Sequence, residues 1–184
     1  RKNLESKLIL NYKFLEDLSN NIPGFLYQFQ LFPDGRSCLP YVSRGIIDVF
    51  GILPEKLISD ASPVFSLIHS EDSETLNLSI QESLNTLNDW YSEFRIVTAQ
   101  NEIKWIHAQS KPEKQNDGST IWNGYATDIT ELKNISLKFE ALLDLASDGV
   151  HILDEDGNIV EFSRSFAMML GYTFEETAQL NVMD

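Results

Sequence analysis

Residues 90–130 read WYSEFRIVTAQNEIKWIHAQSKPEKQNDGSTIWNGYATDIT, and this stretch decides the architecture. Three runs rich in aromatic and β-branched residues, Trp90 to Ala99, Glu102 to Pro112 and Thr120 to Ile129, each have the length and composition of a strand. Asn101 separates the first from the second. Asn116-Asp117-Gly118 separates the second from the third, with residue types that turn a chain at low steric cost. Strands joined so tightly make an antiparallel meander. At its end Asp128 and Thr130 each offer a side-chain oxygen to the free N–H groups of a helix that starts at Glu131.

Toward the N-terminus, Arg44 to Leu87 is helical in pattern, punctuated by Gly51, Pro54 and Pro63. Its longest helix is expected to open near Ser70, with Ser70 as cap and Glu71, Asp72 and Glu74 in the first turn. Before it, Phe25, Tyr27, Phe29 and Leu31 alternate as on a half-buried strand; Pro33-Asp34-Gly35 turns, and a second strand spans Cys38 to Ser43. Two strands, helices and then three strands imply an α+β fold, one antiparallel sheet covered by helices on one face. Residues 1–21 form a helix in which Leu4, Leu8, Asn11, Leu15 and Leu18 step by 4, 3, 4 and 3, the spacing of a coiled-coil seam. Residues 130–147 form another, with Leu132, Ile135, Phe139, Leu142 and Ala146 stepping by 3, 4, 3 and 4.

After residue 147 the pattern restarts. Gly149 to Leu153 and Asn158 to Phe162 are strands around an Asp154-Glu155-Asp156-Gly157 turn, and Ser163-Arg164 opens a helix. Ser43-Arg44, Gly51 and Glu55 return as Ser163-Arg164, Gly171 and Glu175, all displaced by 120 residues. The division expected is a helix at 1–21, a complete domain at 22–129, a linker helix at 130–147 and the front of a second copy at 148–184. That second copy stops before its closing strands and lacks the sheet to bury its own apolar face, so it is expected to be poorly ordered, swapped with another chain, or absent from any compact core.

The chain has 184 residues, 42% of them hydrophobic, ample for a buried core. With 14 basic and 28 acidic residues its net charge is −14, which argues against nucleic acid and anionic membrane as partners. The single cysteine, Cys38, excludes an internal disulfide framework and a cysteine-based zinc site. A chain running from Arg1 to Asp184 is read as an excised piece, so the lack of a signal peptide or membrane span tells nothing of the parent.

Taken in order, Tyr41-Val42-Ser43, Ile68-His69-Ser70-Glu71-Asp72, Tyr91-Ser92-Glu93-Phe94-Arg95, Ile103-Lys104-Trp105 and Gly124-Tyr125-Ala126-Thr127-Asp128-Ile129-Thr130 resemble the PAS (Per-Arnt-Sim) sensor domain. The Asp-Ile-Thr ending after a tryptophan strand is the most specific element. The resemblance covers residues 22–131 in full and 140–184 as the front of a second domain. It implies a five-stranded antiparallel sheet with helices on one face, in a cytoplasmic sensory segment of a bacterial multidomain signalling protein. The output domain implied, in the same chain, is a histidine kinase or, alternatively, a diguanylate cyclase. Whether the parent is anchored to a membrane stays open.

Candidate sites follow from both readings. Asp128 and Thr130 are the expected relay between sheet and linker helix. Tyr27, Phe29, Tyr41, Phe65, Phe94, Trp105 and His107 are the candidates for lining a small-molecule cavity between sheet and helices. So many bulky rings also favour a filled interior, and a spacer or dimer interface without ligand stands as the competing reading. Leu4, Leu8, Leu15, Leu18, Leu132, Ile135, Phe139 and Leu142 are the seam of an expected parallel homodimer. No catalytic residue is expected, because no nucleophile elbow, phosphate loop or paired-carboxylate motif is present. No metal is expected either: His69 has no helical i, i+4 partner, and His107 and His151 lie on other elements. The resemblance speaks against haem, since Asp72 to Leu87 contains no histidine, and against a flavin adduct, since Cys38 lies on a strand.

Overall fold

The computed structural model describes residues 22–145 and 148–181. The chain divides between Thr130 and Glu131 into two compact units. In the first, β1 (Phe25–Leu31) and β2 (Ser37–Val42) precede the helices α1 (Ile46–Phe50), α2 (Ser62–Phe65) and α3 (Ser73–Thr86). Strands β3 (Trp90–Val97), β4 (Ile103–Lys114) and β5 (Thr120–Asp128) follow. The sheet has five strands in the order β2-β1-β5-β4-β3, all neighbours antiparallel. The α+β expectation holds, with helices packed over one face.

The strands form where the alternation placed them because each must bury one face and solvate the other. On β4 the even positions Ile106, Ala108, Ser110 and Pro112 are buried, while Gln109 and Lys111 are exposed. The core is built from residues such as Ile46, Leu57, Ile96 and Ile106, all at 0% exposure, with Trp122 and Leu76 beside them. Two indole N–H groups bolt helix to sheet. Trp122 Nε1 donates to Ser83 Oγ at 3.0 Å and Trp90 Nε1 to Ser79 Oγ at 2.9 Å, and both serines lie on α3. Gly24 and Gly45 let two backbones meet: a Cβ on Gly45 would fall 1.9 Å from the Gly24 carbonyl oxygen.

Ser70 does not cap the long helix. The turn continues, with Asp72 N–H donating to the His69 carbonyl at 2.9 Å, and the helix begins at Ser73. The carboxylates of Glu71 and Asp72 are taken instead by Arg95 of β3. Its Nη2 donates to both, and its backbone N–H donates to Asp72 Oδ2 at 2.7 Å. This ion pair between residues distant in sequence holds the Asp72 carboxylate, which makes no cap hydrogen bond to its own helix, because guanidinium and carboxylate are both charged and fork-matched.

Helix α4 (Thr130–Leu145) starts at the last residue of the first unit and runs into the second, where β6 (His151–Leu153), β7 (Ile159–Phe162), α5 (Arg164–Leu170) and α6 (Phe174–Thr177) follow. The second unit does have a small core, contrary to expectation: Ile159, Phe162 and Ala167 are buried, with Phe166 and Leu180 against them. A hairpin and two short helices suffice to close over three side chains. Along α4, Leu132, Ile135, Phe139 and Leu142 are all exposed. Leu4, Leu8, Leu15 and Leu18 lie outside the described residues.

Candidate functional site

Strand register sets up the interior of the first unit. Val42 of β2 pairs with Tyr27 of β1, Tyr27 with Gly124 of β5, Gly124 with Ser110 of β4, and Ser110 with Trp90 of β3. One row thus crosses all five strands, and its middle position, Gly124, carries no side chain. Tyr27 and Ser110 face the interior from either side of it. Helices α1, α2 and α3 close over this row and leave a cavity of about 80 Å³. Tyr27, Phe29, Phe94, Ser110 and Trp122 line it from the sheet; Ile46, Phe50, Phe65 and Ile80 line it from the helices. Rings lock the wall: Phe29 lies 5.6 Å from Phe65 and 5.5 Å from Trp122, and Phe25 meets Phe50 edge-on at 5.6 Å.

The cavity is almost wholly apolar. Both indole N–H groups are already engaged by α3 serines, so its free polarity reduces to two hydroxyls. Burial pushes the Tyr27 phenol up to about 12, partly opposed by the nearby Ser110 hydroxyl. The phenol is therefore a neutral group at any physiological pH. Ser110 Oγ, in a residue only 6% exposed, has no hydrogen-bond partner. The two hydroxyls are neighbours without meeting in hydrogen-bonding geometry.

Of the seven residues expected to line a cavity, Tyr27, Phe29, Phe65 and Phe94 do so, and Tyr41, Trp105 and His107 do not. The period of two decides β4: with Ile106 and Ala108 buried, Trp105 and His107 project to the opposite face. There the Arg95 guanidinium lies 5.5 Å over the Trp105 ring, and His107 packs against Tyr91 at 5.1 Å and Tyr125 at 6.0 Å. Tyr41 is displaced by a bulge. The register between β1 and β2 shifts from Gln28↔Tyr41 to Gln30↔Cys38, so Leu39 and Val42 point inward and Tyr41 outward.

A second cluster sits where sheet meets linker helix. Asp128 Oδ1 accepts from the Thr130 N–H at 2.9 Å and from the Thr130 hydroxyl. Thr130 Oγ1 accepts in turn from the Trp105 N–H at 2.9 Å, and Ile129 N–H donates to the Trp105 carbonyl at 2.8 Å. Lys104 completes the cluster. Its ammonium lies 3.4 Å from Asp128 Oδ2 and donates to the Asp48 carbonyl at 3.0 Å and the Val49 carbonyl at 3.5 Å. Those carbonyls belong to the last turn of α1, where a cation is favoured by the helix dipole. In the sequence Lys104 figured only within Ile103-Lys104-Trp105, with no role of its own, and Ser110 did not figure at all. A lysine and a serine on a strand are ordinary, and their partners lie on distant segments.

The remaining candidates resolve as structure. Arg95 holds the Asp72 carboxyl below its usual range, chiefly through the side-chain hydrogen bond. His69 Nδ1 lies 3.9 Å from Glu71 Oε2. Cys38 is buried, and burial pushes its thiol up. Among the described residues no group of three or more His, Cys, Asp or Glu side chains could hold a metal ion. No described helix is long and apolar enough to cross a membrane.

A sheet of this order with helices over one face and a cavity between them defines a class, and comparison with known families agrees. One PAS-fold family model matches residues 39–126 and a second matches residues 137–184, together most of the chain. The chain belongs to the PAS-fold family. Among solved structures it is similar to the PAS domain of an HTR-like protein from Haloarcula marismortui, at 17% identity and a TM-score of 0.50, covering 70% of this chain and 100% of that one. It is also similar to a PAS domain from Colwellia psychrerythraea, at 17% identity and 0.49, covering 66% and 98%. A third is the N-terminal domain of a diguanylate cyclase with PAS/PAC sensor from Marinobacter aquaeolei, at 14% and 0.49, covering 59% and 98%. At 17% identity the first of these likenesses speaks for the fold alone. No curated protein matches the chain.

Proposed function

We propose that the chain is a non-catalytic sensory and dimerisation segment of a cytoplasmic signalling protein. The division proposed is the one read from the sequence, a sensory domain at 22–129 joined through 130–147 to a second, similar front at 148–184. The observation that carries this reading is the Lys104 bridge. Ile46 and Phe50 of α1 line the cavity, and Lys104 joins the last carbonyls of α1 to Asp128, which caps α4. A cavity occupant that displaces α1 acts on the start of the linker helix through one side chain. Such an occupant shifts the output only if it prefers one of two arrangements. The exposed seam of Leu132, Ile135, Phe139 and Leu142 supplies the bistable element, a parallel pair with a second copy. A histidine kinase is the proposed output, with a diguanylate cyclase as alternative; only the family resemblance supports either.

Amide exchange of the first turn of α4, with and without cavity occupant, tests the reading. Occupancy is expected to change exchange at residues 130–134 in the wild-type chain but not in Lys104→Met. Unchanged exchange at full occupancy sinks it. The small cavity favours a second reading, a spacer and dimer interface that senses nothing. About 80 Å³ lies well under the roughly 300 Å³ at which ordinary ligand sites begin. Homodimers whose affinity ignores every occupant would establish it.

A further inference from the structure

We propose that the interior cavity of the first unit takes an uncharged organic molecule of about three or four heavy atoms with a single hydrogen-bonding group, held by Ser110 and Tyr27. The inference deepens the sensory reading above and rests on it only for the consequence of binding, not for binding itself.

Size sets the first limit. A cavity of about 150 Å³ holds benzene, so about 80 Å³ admits roughly half as many heavy atoms. Charge sets the second. No Lys, Arg, His, Asp or Glu lines the cavity, and its one titratable group, the Tyr27 phenol, stays neutral. An ion brought there would be desolvated with no counter-charge to offset the loss.

Polarity sets the third. A buried hydroxyl without a partner is destabilising by about 1–3 kcal/mol relative to a satisfied one, and Ser110 Oγ is such a group. The other unpartnered buried hydroxyl, on Thr120, does not border the cavity. Ser110 therefore marks where an occupant's one polar atom belongs. The Tyr27 hydroxyl, across the side-chain gap at Gly124, is placed to share that atom. Two hydroxyls offer a water at most two partners, the low end of what a buried water needs, while the surrounding rings and aliphatic groups suit carbon. A short alcohol or ketone meets all three limits.

The test uses the full 184-residue chain, with acetone, 2-propanol, acetate and xenon as probes, read on the methyl NMR signals of Ile46, Ala108 and Ala126. Acetone and 2-propanol are expected to give saturable shifts at these methyls. Acetate, the charged counterpart of acetone in size and shape, is expected to give none. Ser110→Ala should weaken 2-propanol about five-fold, the factor that one net hydrogen bond of about 1 kcal/mol carries, and leave xenon shifts unchanged. Acetate binding as well as acetone, no saturable shift from either neutral probe, or equal affinity for 2-propanol in Ser110→Ala would each overturn the proposal. The acetone–acetate comparison needs no variant. Saturable binding without altered exchange in α4 would sink the sensory reading and leave this one standing. An exchange response to a larger or charged compound alone would do the reverse.

Discussion

The two units begin with the same device. In the first, Leu26 N–H donates to Ser43 Oγ at 3.0 Å and Ser43 N–H returns to the Leu26 carbonyl at 2.9 Å. In the second, Val150 N–H donates to Ser163 Oγ at 3.0 Å and Ser163 N–H returns to the Val150 carbonyl at 2.8 Å. Each following helix ends at a glycine in the left-handed region, Gly51 with φ 71° and Gly171 with φ 79°. What differs is everything behind that front. The first unit lays it on five strands and buries Ile46 completely, whereas the second has two strands and leaves Met168 and Met169 more than 70% exposed. Local geometry is thus written into a short sequence and forms beside two described strands as it does beside five; the deep burial of the first unit is not, because it draws on β3, β4 and β5.

All three tryptophans, Trp90, Trp105 and Trp122, lie in the first unit, so their fluorescence follows its unfolding alone and the two units can be compared within one chain. The largest effect is expected from Trp122→Ala. Emptying a site 2% exposed and removing the indole N–H that donates to Ser83 Oγ should cost the first unit about 3–5 kcal/mol in urea. Amide protection of Val150 in the second should stay the same. Loss of protection there would show that the units fold as one.

Next come the matched serines. Ser43→Ala and Ser163→Ala remove the acceptor of the Leu26 and the Val150 N–H, at about 1–2 kcal/mol each, and Ser163→Ala also removes the cap that accepts from the Phe166 N–H at the start of α5. Hydrogen exchange should speed up at Leu26 in one variant and at Val150 in the other. An unaffected Val150 amide would break the equivalence of the two fronts.

A smaller change is expected from Lys104→Met, which has no counterpart in the second unit. Its ion pair with Asp128 is partly exposed, so the loss should be about 0.2–1 kcal/mol, seen in the fluorescence-detected midpoint.

The smallest is an acid limb. Arg95 holds the Asp72 carboxyl below its unfolded value. The unfolded chain therefore binds more protons, and stability drains as pH falls from about 3.9 through the lower folded value. Arg95→Met should flatten that limb in the fluorescence transition. An unaltered limb would assign the acid sensitivity to other carboxylates of the first unit, such as Asp117, which Ser119 holds low.

Much of the fold was legible because it rests on neighbours in sequence. The Asn101 turn forms at φ 63°, and the hairpin at Pro33-Asp34-Gly35 closes with Gly35 N–H on the Phe32 carbonyl at 3.0 Å. The Asp128–Thr130 cap was readable for the same reason, since its donor and acceptor lie two residues apart. The cavity was half legible. Alternation correctly brings Tyr27, Phe29 and Phe94 inward, but the choice of inner face on β4 hung on Ile106 and Ala108 rather than on the more conspicuous Trp105 and His107. Ser70 misled because a short polar residue before a helix is an ordinary cap, whereas the helix starts three residues later at Ser73 and the Asp72 carboxylate before it is turned to Arg95.

By itself, then, the sequence determined the identity and order of the segments, their turns, the repeated front and the cap on the linker helix. These depend on side chains within a few positions of one another, where residue type restricts the backbone directly. Only the tertiary structure decided that β1 lies between β2 and β5, where Gln28 Nε2 meets Asn123 Oδ1 at 2.8 Å across 95 positions. The same pairing lined up Tyr27, Gly124 and Ser110, and the packing of α1 brought Lys104 to its carbonyls. Strands pair through N–H and C=O groups that nearly every residue shares, so residue type does not name the partner. That choice is made by which faces must be buried together.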